Sequence, residues 1–162
     1  MNNIDNNVND NLCIDRSKVY DVYVDGSYNR HKKIGAYAFV VIDRNKTVIY
    51  SECAAVTNTR LLAGHQVGCE CKAVVQALKW SIQHDVVIDL YYDLGNLKNW
   101  INDLWGNKPW SVNTEYSKAY REYCLSNRRH IRSMIKVKSH SGDFFNEMVD
   151  SMCQSCYVGG GV

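Results

Sequence analysis

Four acidic residues interrupt apolar patterns in this chain, and gathered carboxylates are what a divalent metal requires. Asp25 closes the apolar part of the stretch Asp21-Val-Tyr-Val-Asp-Gly-Ser-Tyr-Asn29, and Gly26 is free to turn the chain after it. Asp93 follows the dense apolar run 86–92. Glu70 lies beside the stripe Val67, Cys71, Val74, Leu78 and Ile82. Asp150 stands one helical turn after Asn146, with Glu147 between them. Each acid has an ordinary alternative. Asp-Gly is a common turn pair, Glu70 could reach solvent from a helix edge, and Asp93 could cap a following helix. Brought together without cations, the four would repel and raise one another's pKa. Around two divalent ions they would form a site able to cut a phosphodiester.

Positioning these acids takes a mixed sheet. Alternating residues predict a first strand over 18–25, followed by a polar loop that ends in Lys32 and Lys33. An almost wholly apolar strand over 34–43, a tight turn at Asp43-Arg-Asn-Lys46 and a third strand over 47–55 complete an antiparallel meander. The period then becomes helical over 66–83. A buried parallel strand over 85–93 comes next, then a helix over 94–104 that breaks before the chain's single proline, Pro109. Thr114 opens a helix over 114–126 with Glu115 in its first turn. Ile135 and Val137 alternate with Lys136 and Lys138 in a fifth strand over 132–139, and a last helix starts near Asp143. Strands four and five each follow a helix. The expected fold is therefore α/β: a five-stranded mixed sheet, three antiparallel strands plus two parallel, with helices on both faces. In such a sheet strands one and four can be neighbours, which would set Asp25 beside Asp93.

The 162 residues, 46% apolar and 22% charged, suit one domain with a sizeable core. It is expected over 18–157, between a disordered Asn-rich tail at 1–17 and a flexible end at 158–162. A net charge of +2 does not by itself argue for nucleic acid. Arg128, Arg129, His130, Arg132, Lys136 and Lys138 nevertheless crowd one segment, as a solvated face or a phosphate-binding one. Seven cysteines lie without a framework, and the start lacks a basic and an apolar region, so a cytoplasmic protein with free thiols is expected. The longest apolar run, 34–42, is too short to span a bilayer, and no membrane partner is expected. Cys153 and Cys156 form a C-x-x-C with no second pair at zinc spacing; Cys69 and Cys71 read as small packing residues.

Several of these pieces carry a resemblance. They are Val24-Asp-Gly-Ser27, Glu70 with Ala73 three residues on, Tyr91-Tyr-Asp93 ahead of a helix containing Trp100, and Ser139-His-Ser-Gly-Asp143 ahead of Asn146-Glu-Met-Val-Asp150. In this order, over about 19–152, they resemble a type 1 ribonuclease H of the bacterial kind. The resemblance implies the ribonuclease H-like fold. It also implies an endoribonuclease that hydrolyses the RNA strand of RNA–DNA hybrids, leaving 5′-phosphate and 3′-hydroxyl ends. It implies that Asp25, Glu70, Asp93 and Asp150 hold two Mg2+ ions, or Mn2+, one lowering the pKa of the attacking water and the other stabilising the leaving 3′ oxygen. His140 would move protons or aid product release. Gly26, Ser27, Asn29 and Gln66 would lie along the RNA strand, where the 2′-hydroxyl is read. Gln66 stands where related sequences usually have Asn. The segment 106–112 lacks the Lys- and Trp-rich insertion of some bacterial members, which predicts more salt-sensitive binding. A monomer is expected.

Three other readings compete. A resolvase or exonuclease of the same fold is disfavoured by the motif from His140 to Asp150. A non-catalytic hybrid-binding module should have lost a carboxylate. A reverse-transcriptase fragment is disfavoured by a start at Met1 with its own tail.

Overall fold

A computed structural model describes residues 14–138 and 142–160, with backbone alone for 157–160. Five strands form one mixed sheet in the order β3-β2-β1-β4-β5. β1 (Val19–Asn29), β2 (Ile34–Ile42) and β3 (Val48–Val56) are the antiparallel meander. β4 (Val87–Tyr92) lies parallel to β1, and β5 (Ile131–Lys136) parallel to β4. The central strand thus has unequal neighbours. β4 pairs with β1 only from Val19 to Tyr23, whereas β2 follows it from Asp21 to Asn29. The parallel partner therefore ends just short of Asp25.

Alternation along β1 feeds two cores. Tyr20, Val22 and Val24 face the larger one, shared with α2 (His65–His84) and α4 (Glu115–Ser126). Tyr23 faces the smaller one, where Val149 and Cys153 of α5 (Phe144–Gly160) meet Ala38, Val40 and Ile42 of β2. A strand buried on both faces has no polar side to show, which explains the unbroken apolar run of β2.

Four local features depart from the sequence expectation. First, β1 does not end at Asp25. Pairing continues through Asp25 with Ala38 and Gly26 with Tyr37. The turn comes later, where Asn29 Oδ1 accepts from Lys32 N at 3.0 Å and Lys33 takes a left-handed φ of 54°. Second, a short helix α1 (Thr59–Ala63) precedes α2, capped by the Asn58 side chain. One helical turn carries no readable apolar stripe. Third, 94–104 is not one helix but α3 (Asn96–Asn99) and a 3-10 turn (Asn102–Trp105). Arg121 takes the Trp100 carbonyl at 2.9 Å and clasps Asp103 at 2.6 and 2.7 Å, fixing that break from α4. Fourth, β5 stops at Lys136. The start of α5 is held by Asp143, whose Oδ1 accepts from Phe145 N and Asn146 N at 3.1 and 3.0 Å.

Candidate active site

Asp25, Glu70 and Asp93 come from β1, α2 and the loop after β4, and each offers an oxygen within 4.8 Å of the others. The sheet register brings the two aspartates together: the last parallel pair is Tyr23 with Tyr91, and the acids stand two residues beyond each. Glu70 reaches them because α2 lies almost on the backbone of β1. A Cβ built on Gly26 would fall 2.3 Å from Glu70 N and 2.5 Å from the Cys69 carbonyl carbon. Only glycine permits that approach, so Gly26 is a packing residue inside a strand rather than a turn former.

Burial sets the electrostatics. Glu70 is 0% exposed, and neither of its oxygens makes a hydrogen bond of good geometry among the described residues. Its pKa is driven well above the usual carboxylate range, first by burial and then by the charges of Asp93 and Asp25, which outweigh the opposing Asp93 amide. Asp25 is 4% exposed and accepts one hydrogen bond, from its neighbour Gly26 N at 2.9 Å. Burial, then Asp93 and Asp150, push it up to about 8. Asp150 sits half-buried on α5, and both its charge and its side chain act on Asp25. The ordinary alternatives fail. Asp25 lies within a strand, Glu70 does not reach solvent, and the N-cap of α3 is Gly95 with no side-chain cap bond.

Such a cluster is costly as it stands, because buried carboxylates that face one another with few donors lose hydration. A bound cation removes the cost. The donors are all carboxylate oxygens, which suits a hard divalent ion. Among the described residues this is the only gathering of three or more metal-ligating side chains of that closeness.

The remaining expected site residues divide. Gly26 and Ser27 lie beside Asp25 on β1, and Asn29 ends that strand with its side-chain Oδ1 already engaged by Lys32 N. Gln66 is exposed in the first turn of α2. Tyr28 stacks on His65 at 4.6 Å and 11°, which joins the end of β1 to the start of α2. Nothing in the sequence pattern marked that stack. His140 lies outside the described residues. Cys153 is buried behind Asp25, its Sγ 3.5 Å from the Asp25 carbonyl, and burial drives its thiol far up. It is a packing residue under the site, as Cys69 and Cys71 are within α2.

The family model for RNase H matches residues 17–157. The chain belongs to the RNase H family. Curated relatives named ribonuclease H include that of Caldanaerobacter subterraneus subsp. tengcongensis, 26% identical over 146 residues that cover 84% of this chain and 89% of the relative. Another is that of Ehrlichia ruminantium, 29% identical over 147 residues covering 85% and 93%. Among solved structures, RNase H1 from the halophilic archaeon Halobacterium salinarum aligns with a TM-score of 0.70 at 14% identity, over 88% of this chain and 99% of that one. An RNase H1 isolated from compost, solved in complex with an RNA/DNA hybrid, aligns with a TM-score of 0.61 at 12% identity over 85% and 99%. At those identities the structures speak for the fold, the five-stranded RNase H sheet with helices on both faces.

Proposed function

We propose that this chain hydrolyses the RNA strand of RNA–DNA hybrids as a metal-dependent endoribonuclease, leaving 5′-phosphate and 3′-hydroxyl ends. The observation that carries the reading is the convergence of Asp25, Glu70 and Asp93, two of them buried, in a member of the RNase H family. Asp25, Glu70, Asp93 and Asp150 would hold the metal, Mg2+ with Mn2+ as a substitute. When bound, the metal supplies positive charge for the phosphodiester and a water of lowered pKa.

The chain's own residues do the rest. Burial and the neighbouring acids favour the protonated forms of Asp25 and Glu70 in the metal-free protein, and both would have to ionise to hold the metal. Gly26 keeps α2 seated so that Glu70 meets Asp25. Gly26, Ser27, Asn29 and Gln66 line the RNA strand and read its 2′-hydroxyl. With its side-chain Oδ1 tied to Lys32 N, Asn29 presents its side-chain Nδ2–H, a donor to that hydroxyl. His140 carries a proton or helps product leave. The compost RNase H1 bound to an RNA/DNA hybrid supports the substrate class. We read the chain as one domain over 18–157, acting as a cytoplasmic monomer; no helix among the described residues is long and apolar enough to cross a membrane.

The test is cleavage of a labelled hybrid with Mg2+, beside duplex RNA, duplex DNA and single-stranded RNA. Cutting confined to the RNA of the hybrid is the expected result. An intact hybrid with both Mg2+ and Mn2+ sinks the proposal.

A further inference from the structure

A groove of about 280 Å³ opens between α2 and α4, and none of its lining residues belongs to the carboxylate cluster. Its floor is Cys71 and Tyr120, both buried. Tyr120 is fixed by a 2.7 Å hydrogen bond to the Leu97 carbonyl and by edge contact with Trp100. Tyr116, also edge-on to Trp100, and Tyr123 form the α4 side, one helical turn to each end of Tyr120. Tyr116 and Tyr120, held this way, need little reordering to accept a ligand. The volume is at the small end of ligand pockets, which run from about 300 to 1,000 Å³ and are mostly apolar with a few polar groups.

The charge around the groove is uneven. Arg60 and Glu115 pair with each other at 2.9 Å and largely cancel. Lys72 stands half-buried on the α2 wall and forms no ion pair among the described residues. A cation placed beside apolar rings, short of a counter-charge, matches an acidic group attached to an aromatic body. A metal cation finds no such match, since Glu115 is already engaged.

We propose that the groove between α2 and α4 binds an amphipathic organic anion, its ring system seated among Tyr116, Tyr120 and Tyr123 and its acidic group on Lys72. The site lies against Cys71, whereas Glu70 beside it in sequence meets the β1 backbone at Gly26. It does not depend on the nuclease reading, and its test reads binding rather than cleavage.

The probe is 1-anilinonaphthalene-8-sulfonate, compared with N-phenyl-1-naphthylamine, which lacks the sulfonate. The full chain is titrated by fluorescence, and amide shifts are followed by NMR. Expected are saturation at one site, shifts clustered on α2 and α4, and weaker binding of the uncharged analogue. Lys72→Met should weaken the sulfonate about tenfold, the size of a charge-assisted hydrogen bond. Ala119→Trp places an indole at the exposed rim and should abolish binding. Both variants should keep the wild-type urea midpoint. Non-saturable binding, shifts elsewhere, equal binding of the uncharged analogue, or full affinity in Lys72→Met would each overturn the proposal. If Ala119→Trp lowers the urea midpoint, Lys72→Met, at a partly exposed position, decides alone.

Discussion

Asp25 and Asp89 lie on adjacent parallel strands, and each is 4% exposed. Their surroundings differ completely. Asp89 receives Arg132 Nε at 3.0 Å, Arg132 Nη2 at 2.5 Å and the Ser133 hydroxyl at 2.7 Å, a forked clasp from the next strand. Asp25 receives one amide and faces other acids. Burial alone thus separates nothing. A buried acid with a full set of donors is structure, and a buried acid among acids is a site awaiting charge.

The largest effect that tests this contrast is on turnover. Asp25→Asn and Glu70→Gln should each lower hybrid cleavage by at least about a thousandfold, roughly 4 kcal/mol of barrier. Neither should destabilise the metal-free protein, because each puts a neutral amide where burial and the neighbouring acids already favour a neutral carboxyl. A normal rate in either variant takes that residue out of the metal site. Gly26→Ala comes next. Its methyl group would meet the α2 backbone at 2.3 Å, so α2 must move. The expected cost is about 2–4 kcal/mol in urea unfolding, together with weaker metal binding. An alanine variant of wild-type stability would mean that α2 is not seated as described.

Asp89→Asn inverts the first result. The clasp loses its charge, and stability should fall by about 1–3 kcal/mol, while Arg132, whose side chain is 62% exposed, returns to water. Hybrid cleavage should persist. If turnover collapses while the fold survives, Asp89 belongs with the chemistry and the contrast is wrong.

Protonation gives a smaller, pH-dependent version of the contrast. In the unfolded chain Asp25 ionises near the ordinary value of 3.8, whereas in the metal-free fold it holds its proton to about 8. The native state therefore binds more protons between those values, and its stability falls as pH rises through that window. Glu70 acts in the same direction. A divalent metal needs both groups ionised, so its affinity rises with pH. The Tm gap between Mg2+ and chelator should be wider at about pH 8.5 than at about pH 5.5, by the equivalent of at least about 1 kcal/mol. A gap that stays constant or narrows would rule out coupling between metal and these carboxyls.

These residues also show what the sequence exposes. Asp25, Glu70 and Asp93 were legible because each breaks an apolar pattern, and the strand–helix order allows β1 and β4 to be neighbours. Asp89 breaks such a pattern as well, within 86–92, and went unmarked, because its partners Arg132 and Ser133 lie more than forty residues away, on β5. Long-range pairing is what a one-dimensional pattern lacks. Gly26 illustrates a second limit. Asp-Gly reads as a turn locally, yet the hairpin with β2 continues past it and the helix behind it demands the missing side chain. The break in 94–104 has the same cause, an arginine from α4 that the segment itself does not contain.

Asp21 is the sharpest remaining comparison, because it pairs in register with Asp89 yet has neither role. Lys46 Nζ lies 3.9 Å away with a side chain 70% exposed, and the Tyr91 side chain on β4 hydrogen-bonds to the carboxyl. Burial raises its pKa first, Lys46 opposes that, and Asp89 adds repulsion. An exposed pair of this kind contributes about 0–1 kcal/mol at most. Asp21→Asn removes the pair and the repulsion together, so the two changes nearly offset. The expected change in urea unfolding is under about 0.5 kcal/mol, with hybrid cleavage unchanged. Loss of more than about 1 kcal/mol would show that Asp21 is held by Tyr91 or by the Arg132 clasp, and the line between the satisfied acid and its neighbour would have to be redrawn around both.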